Sequence, residues 1–342
     1  MRPLIVMTGQ GVARADGFNL TRRMKATSRL AALTTEVRRK DRQNLDALLA
    51  ACSTGGDDAL AQVLQDLRAI CLKERRTTLR KTAHREVFEA LAGAAGQRLV
   101  AHLTTNVDGL TTTFAVRDFG ASWPPFREPS THEAVVAEAQ RVLDRGAGML
   151  HFPVHGEAGL VLSEPSGEVL QTFYGMPRVV AGYPAWLPSL MVGTAAGMAG
   201  LERRLLPARL GYGLFDVLIA PGAPHCDGLV VPDYPAADLL VIGYGAEDGG
   251  TRDGYPFESR ISTLVAAGRR DPGTRWTALV YRPGENAATA SWFAAHGFSV
   301  LPYDDGELAR VVRQALTRTL PGARCSPDLE IEPRRRRDLP RP

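Results

Sequence analysis

The chain reads as an α/β protein built on a Rossmann-like, doubly wound parallel sheet of about six strands. Three observations predict this fold. Short apolar runs alternate with helix-forming stretches, the pattern of strand–helix–strand units. The runs are continuously apolar rather than alternating, as in strands buried on both faces. Several of them end directly in glycines or polar clusters, at the strand ends where open parallel sheets bind ligands.

Taken in order, Leu4-Ile5-Val6-Met7 is the first strand, running into Thr8-Gly9-Gln10-Gly11-Val12-Ala13. Two glycines one residue apart let backbone N–H groups approach a phosphate closely, and a structural turn uses the same residues. Residues 20–97 are dominated by helix formers and read as a helical insertion. Leu45–Cys52 and Ala59–Ile70 carry apolar residues at three- and four-residue spacings. A further helix is predicted over Ala83–Ala92, stopping near Gly93 and Gly96.

The run from Arg98 to Leu103 is the second strand, ending in Thr104-Thr105-Asn106-Val107-Asp108-Gly109-Leu110. In extended backbone Asn106 and Asp108 point to the same side, and an amide beside a carboxylate suits sugar hydroxyls or a water. Both are also ordinary turn formers. Ser130–Glu133 is a capping box for a helix to Arg145. Gly148–Val154 is the third strand, followed by His155-Gly156-Glu157; His102 and His151 read as core histidines. Leu160–Ser163 and Glu168–Phe173 flank a turn sequence and predict a hairpin, with a helix near Ala195–Leu206 beyond it. Pro235–Ile242 is the clearest buried strand and ends on Gly243-Tyr244-Gly245. Trp276–Tyr281, a helix over Ala287–Ala295, Phe298–Tyr303 and a helix over Glu307–Arg318 complete the unit. The Arg- and Pro-rich tail, 321–342, is predicted to be disordered.

Composition narrows the functional classes. At 342 residues, 44% apolar and 23% charged, the chain has the make-up of an ordinary globular protein. The net charge of +4 is small, so the pI near 9.0 does not by itself argue for nucleic acid. Basic clusters at Arg14–Arg29 and Lys73–Arg85 leave an anionic partner open. Cys52, Cys71, Cys226 and Cys325 are far apart, which excludes a ribbon-type zinc site and fits a reducing, cytoplasmic setting. Met1-Arg2-Pro3 leads straight into the first strand, so no signal peptide is expected. Val179–Leu201 is uncharged and long enough to span a bilayer, but its glycines and prolines favour a buried or cleft-lining segment; no membrane association is expected.

The order of these motifs resembles the sirtuin family. Gly9-Gln10-Gly11-Val12-Ala13 is similar to its GAGIS loop, Thr104–Leu110 to TQNIDxL, Val154-His155-Gly156 to LHG, and Ala237–Gly245 to ADLLLVIGTS. The matches frame residues 1–320 as one NAD-binding domain. There are departures. Thr105 and Thr111 stand where the family has glutamine and histidine, Tyr244-Gly245 replace Thr-Ser, and SGIPxFR survives only as Ala15-Asp16-Gly17-Phe18. The zinc cysteines and the FGE element are absent, and residues 156–215 stand where the zinc module would begin. This combination is similar to the zinc-free, sirtuin-like NAD hydrolases of bacterial antiphage systems.

The resemblance implies a substrate, NAD, no zinc, and cleavage of the nicotinamide–ribose bond. It implies that Asn106, Asp108 and His155 are catalytic. Gly9, Gln10, Gly11, Val12, Thr104, Asn106, Asp108, Gly243, Tyr244 and Gly245 would hold the dinucleotide. Cleavage passes through an oxocarbenium-like sugar, and nicotinamide needs no general acid because it leaves from a cation. The site needs a strained ribose, an oriented nucleophile and a base, the last suited to His155. Two other classes are kept: an NAD-dependent protein deacylase or ADP-ribosyltransferase, and a non-catalytic NAD-binding module. No second sensor domain is recognisable, so an activating signal is expected from a partner protein, self-assembly or nucleic acid.

Overall fold

The structure, a computed structural model, describes residues 2–18, 83–95, 98–106, 110–112, 114–115, 149–153, 161–163, 169–171, 215, 218–220, 235–245, 256–304 and 306–317. The helices expected before residue 82, at 130–145 and near 195–206 lie outside these residues. So do the uncharged segment, the tail and all four cysteines.

In chain order the elements are β1 (Leu4–Thr8), α1 (Gln10–Ala15), α2 (Ala83–Ala95), β2 (Leu99–Thr104) and the three-residue turn α3 (Leu110–Thr112). They continue with β3 (Leu150–Pro153), β4 (Val161–Ser163), β5 (Val169–Gln171), β6 (Asp238–Ile242) and α4 (Pro256–Ala266). The chain closes with β7 (Trp276–Tyr281), α5 (Ala287–Ala295), β8 (Ser299–Tyr303) and α6 (Leu308–Thr317). Six strands form one parallel sheet in the order β3-β2-β1-β6-β7-β8, and β4 pairs with β5 as an antiparallel hairpin. This is the Rossmann arrangement predicted above, with its topological switch between β1 and β6.

The continuous apolar strands are buried as their sequences require. Every residue of β1, β2 and β6 is buried. Parallel strands cannot be joined by tight turns, and strands buried this way need cover on both faces. On one face α6 places Leu308, Val311, Val312 and Leu316 against Val87, Phe88 and Leu91 of α2, over Leu4, Val6 and Leu240. α2 runs through Gly93 to Ala95 and ends only before the second of the two glycines expected to stop it. α4 is a helix that the strand and helix patterns above did not identify. Its signal is present, with Pro256 at the first helical position and Phe257, Ile261 and Leu264 buried at helical spacing.

Registry sets the site. Thr8, the last residue of β1, pairs with Thr104 on one side and Ile242 on the other. The three strands therefore end level, with Gly9, Thr105 and Gly243 leaving the sheet side by side.

Candidate functional site

The central feature of this edge is a backbone crossing between Gly9–Gly11 and Gly243–Tyr244. The Gly9 N–H donates to the Ile242 carbonyl at 2.9 Å, and the Gly11 N–H donates to the Gly243 carbonyl at 2.8 Å. A Cβ on Gly9 would lie 2.6 Å from the Gly243 oxygen and the Tyr244 Cα. One on Gly11 would lie 2.5 Å from the Gly243 Cα and from the Tyr303 hydroxyl. Gly9 has φ −108°, ordinary extended backbone, so contact and not dihedral freedom requires glycine there. Gly243 requires it twice over, with φ +60° and a Cβ position 2.7 Å from the Gly11 Cα.

This changes the physical reason for the two early glycines. Their N–H groups are engaged by the end of β6, and the loop is short, because α1 begins at Gln10. Gln10 and Gly11 are half-buried, and Val12 is fully buried in the core. Gly245 is exposed, and a Cβ there would meet nothing within 4 Å. Tyr244 turns its side chain inward: the ring packs on Phe257 and its hydroxyl donates to the Glu258 carboxylate at 3.2 Å. The Tyr244 ring therefore anchors the Gly243–Gly245 turn to α4.

From β2, Asn106 reaches across to this crossing. Its side chain is 6% exposed, and Nδ2 donates to the Gly9 carbonyl at 3.0 Å. Its own N–H donates to the Thr104 hydroxyl at 3.1 Å, and that hydroxyl donates to the Thr8 carbonyl at 3.3 Å. The Thr105 N–H also donates to the Thr8 carbonyl, at 3.1 Å. Thr104 is thus buried as a spacer that fixes where Asn106 leaves the strand. Asp108 and His155 lie outside the described residues. The sheet brings together Gly9, Gln10, Gly11, Thr104, Asn106, Gly243, Tyr244 and Gly245 at one edge; Val12 faces away from it, into the core.

Two buried polar groups lie on the α2 side. His102 and His151 face each other across β2 and β3, Nδ1 to Nδ1 at 2.8 Å, with the rings stacked. His102 Nε2 lies 3.1 Å from Thr8 Oγ1, which lies 3.5 Å from the Leu103 carbonyl. A single consistent chain of donors follows: His151 Nδ1–H to His102 Nδ1, His102 Nε2–H to Thr8, and the Thr8 hydroxyl to Leu103. It requires His102 to be neutral, because its Nδ1 accepts, and it accommodates a neutral His151. Burial, aided by the nearby His151 and His84, pushes the His102 pKa well below its ordinary value, and burial pushes His151 down to about 3. These are core histidines, as their strand positions predicted.

The second group is Asp16, His84 and Thr111. Asp16 Oδ2 accepts from His84 Nδ1 at 2.5 Å, and His84 Nε2 lies 3.4 Å from Thr111 Oγ1. Burial raises the Asp16 pKa, but the His84 hydrogen bond and charge, with the N–H groups of Ala83 and His84, lower it further than burial raises it. His84 carries no signal in the sequence, because a single histidine in an amphipathic helix matches no motif.

Asp238, the aspartate of the Ala237–Gly245 motif, sits at the opposite edge of the sheet. It is 4% exposed, paired with Arg98 at 2.5 Å and Arg275 at 3.1 Å, and accepts the Arg275 N–H at 2.8 Å. It ties the starts of β2, β6 and β7 together and does not approach the candidate site.

Among the described residues, no group of three or more His, Cys, Asp or Glu could hold a metal ion. No helix among them is long and apolar enough to cross a membrane. No family model matches the chain, and no curated protein matches it.

Proposed function

We propose that this protein is an NAD hydrolase that cleaves the nicotinamide–ribose bond, acting in antiphage defence as the sirtuin-like enzymes it resembles do. One observation carries the reading: a buried asparagine at the end of β2 is bonded to the glycine turn after β1, at the switch point of a β3-β2-β1-β6-β7-β8 sheet. That position is where such sheets bind dinucleotides. Among the described residues, no atom lies within 4 Å of a Cβ placed on Gly245, which suits close approach of a ligand there.

In this reading Asn106 orients the attacking water or the ribose hydroxyls, held by Thr104 and Gly9. Water adds to the ribose carbon as nicotinamide leaves, giving ADP-ribose, nicotinamide and a proton, which His155 accepts. The Gly9 and Gly11 N–H groups are bonded within the protein, and the Gly243 N–H donates to the Leu279 carbonyl, so the pyrophosphate contacts fall to Gln10 and Gly245.

Two alternatives are to be separated from this reading: an NAD-dependent deacylase and a module that binds NAD without cleaving it. Purified full-length protein incubated with NAD, with and without an acyl-lysine peptide, separates the readings. Nicotinamide release without peptide supports the hydrolase, release only with peptide supports a deacylase, and saturable NAD binding without release supports the module.

A further inference from the structure

We propose that Asp16 and His84 form a brace that holds Thr111 and, through the chain, Asn106, making His84 and Thr111 positioning residues for the site; the catalytic half of this inference rests on the NAD-hydrolase reading.

The brace is built from three elements. Asp16 follows α1 directly and has both carboxylate oxygens occupied. Oδ1 accepts the Ala83 N–H at 2.9 Å, and Oδ2 accepts the His84 N–H at 3.1 Å as well as the His84 ring. The aspartate thereby caps α2 from outside that helix and fixes the ring's orientation. The ring stacks on Phe114, with centroids 5.5 Å apart and planes 14° apart, and presents Nε2 to the Thr111 hydroxyl. Side-chain exposure is 0% for His84 and 2% for Asp16, and Thr111 is 1% exposed, so none of the three meets a substrate directly.

These contacts close a ring. From Gly9 the chain runs through α1 to Asp16, then by hydrogen bonds through His84 to Thr111, back along the chain to Asn106, and from the Asn106 amide to the Gly9 carbonyl. The Asn106–Gly9 and His84–Thr111 bonds are buried, where hydrogen bonds are stiff and costly to leave unmade. The same four-part ring holds the glycine turn and the asparagine at a fixed separation. A displacement of about 1 Å at such a group can cost about a hundredfold in rate.

The test removes one hydroxyl. Thr111→Val keeps the shape of the side chain and deletes the bond to His84, whereas Thr111→Ser keeps the bond. Full-length wild type and both variants are compared by amide hydrogen exchange and by nicotinamide release from NAD. Thr111→Val is expected to speed exchange over residues 104–112 about tenfold while β7 is unchanged. Its kcat is expected to fall about tenfold at an unchanged KM, with Thr111→Ser restoring both. Unchanged exchange in 104–112, or an equal rise in β7, overturns the brace. Altered exchange with wild-type kcat overturns its positioning role. If the wild type neither binds NAD nor releases nicotinamide, the hydrolase reading and the catalytic half of this inference fall together, while exchange still decides the brace.

Discussion

The Asn106 amide donates to the Gly9 carbonyl across 3.0 Å, joining the ends of β2 and β1. The carbonyl also receives a long contact from the Val12 N–H at 3.4 Å, so it is not orphaned when the amide is lost. Asn106→Ala is therefore expected to cost about 1 kcal/mol in stability, the low end for a buried hydrogen bond. Nicotinamide release is expected to fall far more than NAD affinity, since orienting a nucleophile acts in the transition state. Asn106→Asp should be less stable than Asn106→Ala, because it sets a carboxylate oxygen against a carbonyl oxygen. Urea unfolding, calorimetry with NAD and a nicotinamide assay measure all three effects. Wild-type turnover in Asn106→Ala would remove it from the catalytic set.

The glycines at the crossing should separate by fold rather than by ligand. Gly9→Ala and Gly11→Ala place a Cβ against the backbone of Gly243 and Tyr244, which cannot swing aside as a side chain would. Each is expected to lose at least about 2 kcal/mol, the scale of an overpacked core. Gly245→Ala points into open space and should leave the unfolding midpoint within experimental error. Under the NAD reading it should weaken NAD binding several-fold. Thermal melts of the three variants decide the first point: equal melting temperatures for Gly9→Ala and Gly245→Ala would contradict the crossing.

Much of this architecture is legible in the sequence, for a specific reason. A strand buried on both faces must be apolar throughout, so Leu4–Met7, Arg98–Leu103 and Pro235–Ile242 announce themselves, and their last residues mark the ligand edge. The glycines at 9, 11 and 243 are equally visible, but their cause is not. Glycine permits close approach to anything, and only coordinates distinguish a phosphate from a neighbouring backbone. Tyr244 is misleading in the same way, because its motif position suggests ligand contact while the ring is packed under α4. His84 illustrates the remaining difficulty. Its partners Asp16 and Thr111 are distant in sequence, and no periodicity records such a meeting.

Asp238 belongs to a motif read for its glycines, yet its role is structural. Removing its carboxylate leaves Arg98, with a side chain only 14% exposed, without this acidic partner. Asp238→Ala is expected to cost about 3 kcal/mol, the lower range for breaking a buried ion pair. Asp238→Asn keeps an acceptor for the Arg275 N–H and should cost less. In both, any nicotinamide release per folded molecule should stay at the wild-type level, since the site is at the other end of β6. A selective loss of kcat in Asp238→Asn, with folding intact, would place Asp238 in the chemistry after all.

The buried histidines predict how stability depends on pH. His151 has a folded-state pKa of about 3 against an ordinary value of 6.5, and His102 is also well lowered. Between those values the unfolded chain binds protons that the folded chain refuses, so stability rises with pH. The contribution is complete above pH 6.5 and is lost progressively as pH falls from there toward the folded values. A histidine so lowered contributes a slope of up to about 1.4 kcal/mol per pH unit, so His151 should remove about 1.4 kcal/mol between pH 7.5 and 5.5, with His102 adding in the same direction. Asp16 adds its own loss only at more acidic pH, because its pKa is lowered from 3.8. Urea unfolding at pH 7.5, 6.5 and 5.5 reads the slope directly. His151→Phe removes one titrating ring and should roughly halve the slope contributed by the pair, whatever it does to stability at neutral pH. Equal slopes in wild type and His151→Phe would mean that His151 binds the same protons in the folded as in the unfolded chain, and that burial does not hold its ring neutral.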